Sequence, residues 1–282
     1  MNIFGKKKRK TESTCAIVIP IYQETINKYE ALSLRQCFVI LRNYPIYLVT
    51  HSELNIEEYK KTAKEHNIEL RTKFFNSKYF ENIDGYNALM KSVEFYSSFA
   101  SYTYILIYQL DAYVFRDELK LWCKHGYDYI GAPWFDNYGD KTEDNNLWAV
   151  GNGGLSLRRV EFFLKVLKWK LPLKKIKIHY RPSLLELKKI AYTLGWHNNI
   201  KYYLREKTKM NEDGFFTVFL FDAWISPNLP SVEKALEFSF EKSPAYLYER
   251  NGNRLPFGCH AFRKYDYDFW KEYIHESGAE NA

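Results

Sequence analysis

Long apolar runs, paired cysteines and evenly spread positive charge are all missing from this sequence. The four cysteines are scattered and form no Cys-x-x-Cys pair, which excludes a zinc signature and a disulfide framework and favours reduced thiols. The apolar run at 16–21 is far too short to span a bilayer. No apolar stretch follows the basic N-terminal residues, so a signal peptide is not indicated. We therefore expect a cytoplasmic protein.

Most of the excess positive charge lies in one short segment. The net charge of the 282-residue chain is +7, and Lys6–Lys10 supplies five of these charges, which leaves +2 for the rest. A basic nucleic-acid-binding face needs more than that, so nucleic acid is not an expected partner. Residues 1–14 are predicted to be a disordered tail, either solvated or in peripheral contact with an anionic membrane at its inner face, at about 1 kcal/mol per basic residue.

The rest of the chain has enough apolar residues for a large core. Hydrophobic residues make up 46% of the sequence, and its length of 282 residues fits one large α/β domain or two small ones. No internal repeat or low-complexity linker is present. One domain over 15–275 is therefore favoured, with a short tail at 276–282.

Strand-like and helix-like segments alternate through the first half. Short β-branched and aromatic runs predict strands at 16–22, 46–49, 68–75 and 104–110, and periodic apolar positions predict helices at 29–42, 56–66 and 83–99. The second half is less regular, with a strand at 127–131, a polar loop at 136–146, a helix at 160–167, a basic helical stretch at 171–194 and a helix at 212–220. This order predicts an α/β fold with a mostly parallel sheet and helices on both faces.

One acid stands out in the apolar segment Tyr102–Phe115, which is predicted to be a buried strand. Asp111 is the only acid in this run. A buried charge is costly unless it is paired or bound to a metal, and the carboxyl end of a central strand is where α/β sheets bind ligands. Gln109 and Asp111 would share one side of an extended strand, and a cation on a diphosphate needs few protein oxygens. The alternative is an acid that caps the next turn.

A glycine-rich motif, Gly-Asn-Gly-Gly-Leu-Ser-Leu-Arg, follows at Gly151–Arg158. It lacks the Gly-Lys-Ser/Thr ending of a P-loop and precedes a strand rather than a helix. Two interpretations are open at this point. The glycines allow the backbone to approach a bulky ligand closely, or they form a tight turn with positive φ angles.

Two adjacent acids, Glu212 and Asp213, begin a predicted aromatic helix in the motif Asn-Glu-Asp-Gly. Acids in a first helical turn are favourable for the helix dipole, by about 0.3–1 kcal/mol. Alternatively, one acid is a general base that takes a proton from an attacking hydroxyl.

A lone histidine, His260, lies in the segment Pro-Phe-Gly-Cys-His-Ala-Phe. Lone histidines are more often satisfied core residues than ligands. However, proline and glycine fix a turn here, and an imidazole can complete a mixed nitrogen and oxygen site suited to Mn²⁺.

In this order the four motifs resemble GT-A nucleotide-sugar glycosyltransferases, in particular a family with the signature Gln-Leu-Asp-Ala, Gly-Asn-Gly-Gly-x-Ser-x-Arg, Asn-Glu-Asp and Pro-Phe-Gly-x-His. The resemblance covers roughly residues 15–262. It implies that Asp111 matches the last acid of an Asp-x-Asp motif and that His260 completes its metal site. The implied cofactors are Mn²⁺ or Mg²⁺ and a nucleotide-sugar donor, with a UDP-sugar favoured.

The resemblance also implies roles for other residues. Asp213 is favoured as the base of an inverting transfer, with Glu212 binding acceptor or donor hydroxyls. Gln109 replaces the first acid of Asp-x-Asp and would bind ribose or a metal-bound water, which leaves metal dependence open. The remaining donor contacts are implied for Pro20, Ile21, Tyr22 and Gln23 at the nucleotide and for Asn152, Gly153 and Gly154 beside the donor sugar.

Aromatic platforms for sugar faces are also expected. The candidates are Trp134, Phe135, Trp148 and Trp224, each of which is otherwise an ordinary core aromatic. The polar loop 136–146 is a candidate lid over the donor. The acceptor is expected to be a glycan, glycolipid or glycoprotein.

Two other functions compete with sugar transfer. A sugar nucleotidyltransferase usually carries a glycine-rich, basic loop after its first strand, whereas Tyr22–Thr25 contains neither glycine nor lysine. A non-catalytic carbohydrate or nucleotide-sugar binding module would not need Asp111, Asp213 and His260 together. The sequence therefore favours a glycosyltransferase.

Overall fold

The computed structural model describes residues 14–136, 146–174, 183–187, 197–207 and 209–274. The predicted tails, the interior of the candidate lid and most of the basic stretch 171–194 lie outside the described residues.

A six-stranded sheet forms the centre of the molecule, in the order β3-β2-β1-β4-β9-β6. Its strands are β1 (Cys15–Pro20), β2 (Ile46–Thr50), β3 (Leu70–Phe74), β4 (Tyr104–Tyr108), β6 (Tyr129–Ile130) and β9 (Leu155–Arg159). The first four are mutually parallel, and β9 runs antiparallel to both β4 and β6. The predicted α/β class with a mostly parallel sheet is therefore confirmed.

Helices cover both faces of this sheet. Because side chains alternate along a strand, Ile17 and Ile19 of β1 enter one buried cluster, whereas Ala16 and Val18 enter the other. The first cluster packs against α1 (Lys28–Ile40), α2 (Glu57–Glu65) and α5 (Leu119–His125). The second packs against α3 (Ile83–Met90), α4 (Val93–Ser98), α6 (Val160–Leu167), α7 (Ile200–Glu206) and the π-helical turn Phe215–Phe219, which continues α8 (Glu212–Gly214).

The predicted helix 83–99 is wrong in one respect, because the chain forms two helices there. Ser92 accepts a hydrogen bond from Phe95 N at 3.1 Å and so caps α4 as a new helix. Lys91, between the helices, donates from Nζ to Met210 O at 2.8 Å. The break therefore anchors the segment that leads into α8.

A second, three-stranded sheet lies beside the first, in the order β10-β11-β5. It contains β5 (Tyr113–Val114), β10 (Ser239–Phe240) and β11 (Gly258–Cys259). This sheet and the helices α9 (Val232–Phe238), α10 (Pro244–Arg250) and α11 (Tyr267–Trp270) surround a third apolar cluster that includes Phe240, Phe262 and Trp270. A hairpin of β7 (Pro133–Phe135) and β8 (Leu147–Val150) precedes the glycine motif.

The predicted strand through Asp111 is also wrong in its extent. β4 ends at Tyr108, and the chain then turns, with Ala112 N donating to Gln109 O at 2.9 Å. It continues as β5, which belongs to the second sheet. Asp111 therefore lies in a turn between the two sheets.

Two general expectations can be compared with the described residues. All four cysteines are buried and free in the structure. Within the described ranges, no helix combines the length and apolar character that a membrane crossing requires.

Candidate active site

The second sheet brings three polar side chains to one edge. Glu241 directly follows β10 and His260 directly follows β11, and these strands are parallel. β5 is antiparallel to β11, with Tyr113 opposite Cys259, so the start of β5 lies at the same edge. Asp111, two residues before Tyr113, therefore meets the other two side chains.

His260 contacts side chains at both ring nitrogens. Its Nε2 lies 3.0 Å from Asp111 Oδ1 and 3.3 Å from Gln109 Oε1, and its Nδ1 lies 3.1 Å from Glu241 Oε1. Gln109 and Asp111 thus converge, as predicted, but through the turn rather than through strand alternation. The Asp111 side chain is 51% exposed, so the expectation of a buried charge is wrong.

The two carboxylates strongly affect the imidazole. Burial alone lowers the pKa of His260, but Asp111 and Glu241 outweigh burial and raise that pKa to about 10. Partial loss of water around the half-exposed Asp111 carboxylate raises its pKa, but His260 outweighs this effect and the net shift is downward. In its protonated form the ring donates to an acid on each side, and a cation bound at Nε2 would displace the proton from that nitrogen.

Asp111 and His260 fit the donor set of a divalent cation. Asp111 Oδ1 and His260 Nε2 are 3.0 Å apart and form an ion pair, and both atoms would reach one octahedral ion at about 2.0–2.1 Å in place of that contact. Glu241 on Nδ1 is the orienting partner that metal-binding histidines usually have. Across the described residues, no group of three or more His, Cys, Asp or Glu side chains is arranged to hold a metal, so the other ligands would come from a diphosphate and water.

The glycine motif packs closely against three side chains. A Cβ atom at Gly154 would clash with His260 Nε2, one at Gly153 with Glu212 Oε1, and one at Gly151 with the ring of Trp134. The close approach that requires glycine is therefore to the protein's own side chains. The positive φ of the motif, 74°, belongs to Asn152, so the turn interpretation placed it at the wrong residues.

Asn152, Gly153 and Gly154 were predicted beside the donor sugar. The structure places Asn152 in the interior, where its Oδ1 accepts from Gly154 N at 3.0 Å. Gly154 O accepts from Gln109 N at 2.8 Å, which ties the motif to the end of β4. The contacts described here are therefore with other parts of the protein, and contact of these residues with a donor sugar stays a prediction.

Asp213 is held by two backbone donors. Its Oδ2 accepts from Gly153 N at 3.1 Å and its Oδ1 from Gly214 N at 2.7 Å. Burial raises the pKa of Asp213, although both backbone donors and Arg158 oppose the rise. Gly153 donates to Asp213, and the next residue, Gly154, packs against His260. Asp213 and His260 therefore contact neighbouring residues of one loop.

Glu212 faces the interior rather than a substrate. Its Oε1 accepts from Arg158 Nη2 at 2.7 Å, and the two side chains are 2% and 0% exposed. Burial raises the pKa of Glu212 to about 7, even though Arg158 favours the ionised form. Arg158 also donates to Tyr96 Oη and Ser156 Oγ. The geometry thus places Glu212 in a buried ion pair, and the predicted contact with hydroxyls is not what it shows.

A first cavity of about 420 Å³ lies at the carboxyl ends of β1 and β4. Seven residues were predicted for the nucleotide and the metal. His260 is not in the wall of this cavity, but the other six line it, namely Pro20, Ile21, Tyr22, Gln23, Gln109 and Asp111. The described residues of its wall include three carboxylates, Glu30, Glu81 and Asp111, and neither lysine nor arginine.

A second cavity of about 450 Å³ contains the other predicted groups. Asp213, Trp134 and Phe135 line it, together with Glu241. His260 therefore contacts one residue from each cavity, Asp111 from the first and Glu241 from the second. The remaining predicted platforms are elsewhere: Trp148 donates to Phe135 O at 3.0 Å and is 43% exposed, and Trp224 is 63% exposed beside Leu173.

Sequence reasoning missed two residues of the site. Arg158 ends the glycine motif, and its place in that motif was the available signal for a role. Glu241 follows a two-residue strand with no distinctive pattern. Only the pairing of β10 with β11 shows that it contacts His260.

Comparison of the sequence with protein families identifies its family. The profile of a family described as a protein of unknown function (DUF5672) matches residues 69–260, more than half of the chain. The chain belongs to this family. The DUF5672 match contains Gln109, Asp111, Asp213, Glu241 and His260 of the candidate site. No curated protein matches the chain.

Several solved glycosyltransferase structures are similar to this DUF5672 protein. The galactosyltransferase LgtC, in complex with donor and acceptor sugar analogues, is 11% identical with a TM-score of 0.46, over 94% of this chain and 92% of that one. Core-mannan synthase A from Aspergillus fumigatus, in an Mn/GDP form, is 12% identical with a TM-score of 0.37, over 57% of this chain and only 62% of that one. TarS from S. aureus with UDP-GlcNAc is 12% identical with a TM-score of 0.33, over 53% and 46%. Because these TM-scores are below 0.5, we draw the function from the residues of the chain itself.

Proposed function

We propose that this protein is a metal-dependent glycosyltransferase that moves a sugar from a nucleotide-diphosphate sugar to a hydroxyl of a glycan, glycolipid or glycoprotein, with inversion. One observation carries the proposal. His260 contacts Asp111 of the first cavity and Glu241 of the second. The glycine loop that packs against His260 also donates a hydrogen bond to Asp213. A cation site and a candidate base thus lie side by side between two cavities.

The first cavity is suited to the donor. Tyr22, Tyr59 and Tyr79 provide aromatic surface for a nucleoside, and the volume is typical of small-molecule sites. Because its described wall has carboxylates and no basic side chain, the diphosphate needs a cation for charge neutralisation. Asp111 and His260 would hold that ion, which, when bound, stabilises the charge that develops on the leaving diphosphate. A UDP-sugar is the favoured donor.

The second cavity is suited to the acceptor. Asp213 is oriented by the N–H groups of Gly153 and Gly214, and its raised pKa makes it a stronger base than an ordinary aspartate. The acceptor oxygen forms a bond to the anomeric carbon, the bond from that carbon to the diphosphate breaks, and the hydroxyl proton passes to Asp213. Attack from the side opposite the leaving group inverts the anomeric centre.

Thermal unfolding with UDP and Mn²⁺ together, with each alone, and with GDP plus Mn²⁺ tests the donor side. A ligand at about 100 times its dissociation constant adds roughly 2.7 kcal/mol, which raises the melting temperature by several degrees. We expect UDP and Mn²⁺ to act synergistically. The absence of any shift with either nucleotide would overturn the proposal.

Variants of Asp111 and His260 test whether the shift in melting temperature arises at the candidate site. Asp111→Asn and His260→Gln are expected to lose the synergy, whereas Asp268→Asn, at a side chain that is 88% exposed, keeps it. A screen of nucleotide sugars for donor hydrolysis and transfer then separates an enzyme from a binding module. Nucleotide binding without turnover of any donor would favour the non-catalytic module.

A further inference from the structure

The two cavities differ in charge. The described wall of the first contains no lysine or arginine, but Lys209 and Lys242 both line the second. These lysines come from different parts of the chain, since Lys209 precedes α8 and Lys242 follows β10. Two cations from separate segments thus lie around the cavity that contains Asp213.

A third lysine lies close to the same wall. Lys242 Nζ and Lys264 Nζ lie 5.3 Å and 5.0 Å from the ring centroid of Tyr265, which also lines the second cavity. Both distances are within the range of cation–π attraction. Lys264 also interacts electrostatically with Glu241 and Asp111, so positive charge extends toward His260.

The acids of this cavity are held by other groups. Asp213 accepts from the N–H groups of Gly153 and Gly214, and Glu241 contacts His260 Nδ1 at 3.1 Å. Both acids therefore have partners other than the two lysines. Trp134 and Tyr265, both half-buried, offer ring faces of the kind that pack against a saccharide.

We propose that the second cavity selects an acceptor saccharide that carries a phosphate or carboxylate group, with Lys209 and Lys242 binding the anion while Trp134 or Tyr265 packs against the ring. The inference rests on the proposed function, because it takes Asp213 to face the acceptor. Lysine binds such groups as a point charge, so the site accepts either anion without demanding one bidentate geometry.

Two matched series of sugars test this inference. Ligand-observed NMR measures binding of glucose, glucuronate and glucose 6-phosphate, and of galactose, galacturonate and galactose 6-phosphate. Members of a series share one ring and differ at C6. We expect the anionic members to bind roughly tenfold more tightly than the neutral parent, since a hydrogen bond to a charged group contributes about 1.5–3 kcal/mol. Equal binding within both series, or no binding of any anionic member, would overturn the inference.

Variants of Lys209 and Lys242 test whether the anionic sugars bind in the second cavity. Lys209→Gln and Lys242→Gln are each expected to weaken the anionic sugars several-fold and to leave the neutral sugars unaffected. Lys271→Gln, at a lysine on α11 that is 56% exposed, is the matched control. Unchanged affinity in the double variant Lys209→Gln/Lys242→Gln would overturn the inference. Inorganic phosphate that bound as tightly as the sugar phosphates would show a general anion site and overturn the saccharide assignment.

The nucleotide experiment keeps the two proposals apart. A shift with UDP and Mn²⁺ but no preference for anionic sugars would retain the glycosyltransferase and reject the anionic acceptor. Lysine-dependent binding of anionic sugars without any nucleotide shift would reject sugar transfer and leave an anionic-saccharide site.

Discussion

Asp213 is the residue whose loss separates binding from chemistry. Asp213→Asn preserves the shape of the side chain but removes the base, so we expect the rate of transfer to fall by about 10²–10⁴-fold. The UDP–Mn²⁺ shift should persist, because Asp213 lines the second cavity and not the first. Steady-state kinetics with Asp222→Asn, an exposed residue outside both cavities, provides the control. Near-normal turnover in Asp213→Asn would exclude it as the base.

The acidic limb of the pH–activity profile is expected to depend on Asp213 as well. Burial raises the pKa of Asp213, and a base must be ionised to accept a proton. Activity should therefore be lost as the pH falls through a value above the ordinary aspartate pKa of about 3.9. The measurement is kcat against pH, over the range in which the fold is intact by circular dichroism. An acid limb at or below pH 4 would contradict the raised pKa.

Gly154 tests the close contact between the loop and the imidazole. In Gly154→Ala the new Cβ would clash with His260 Nε2, so the ring must move away from Asp111. We expect loss of the UDP–Mn²⁺ synergy and destabilisation by about 1–3 kcal/mol. Gly214→Ala is the matched control, since its Cβ would meet nothing closer than 3.7 Å and its φ of −61° is helical. A Gly154→Ala variant with normal synergy would show that the ring tolerates displacement.

At the scale of elements, a buried ion pair connects β9 to α8. Arg158 and Glu212 are both almost fully buried, and Asn87 of α3 accepts from Glu212 N at 2.8 Å on the other side. Glu212→Gln leaves the guanidinium buried without its counter-ion, which is expected to cost about 3–5 kcal/mol. The measurement is urea unfolding at pH 8, above the Glu212 pKa of about 7.

Two further variants test whether the unpaired charge of Arg158 causes the loss of stability in Glu212→Gln. Glu237→Gln breaks a half-exposed pair with Lys234 and should cost less than about 1 kcal/mol. The double variant Arg158→Met/Glu212→Gln removes both charges and should recover part of the stability lost in Glu212→Gln. If the double variant is less stable than the single one, the unpaired charge is not the cause.

The elements that sequence reasoning located well are those with strong periodic or apolar patterns. β1, β2 and β4 are continuous apolar runs, as strands covered on both faces must be. The split of 83–99 into α3 and α4 was missed, because Ser92 fits a helix pattern until its capping role is seen. The two-residue strands β10 and β11 are too short for any periodicity to reveal them.

At the scale of the whole molecule, the buried thiols offer a probe of global unfolding. Burial raises the pKa of Cys15, Cys37 and Cys259, and Cys123 is only 3% exposed. We expect negligible reaction with a thiol reagent in the native state and four reactive thiols after denaturation. Rapid labelling of even one thiol under native conditions would show local opening of the core around it.

The candidate site was predictable as a set of residues but not as an arrangement. Asp111, Asp213 and His260 were identified by their motifs. The structure places Asp213 and His260 against one loop and Asp111 against His260. The contact of Glu241 with His260 and the pairing of Arg158 with Glu212 depend on strand pairing and helix docking across long stretches of chain. No local pattern encodes such contacts, because each partner looks ordinary in its own segment.

The separation of the partners along the chain also affects when the site can form during synthesis. Gln109 and His260 are 151 residues apart, and the loop and Asp213 lie between them. At 5–20 residues per second, a ribosome needs roughly 8–30 s to proceed from the first to the last. The central parallel strands are complete well before then, so the nascent chain can build its sheet while the groups around His260 are still unassembled. Assembly of the group of side chains around His260 therefore coincides with the docking of β11.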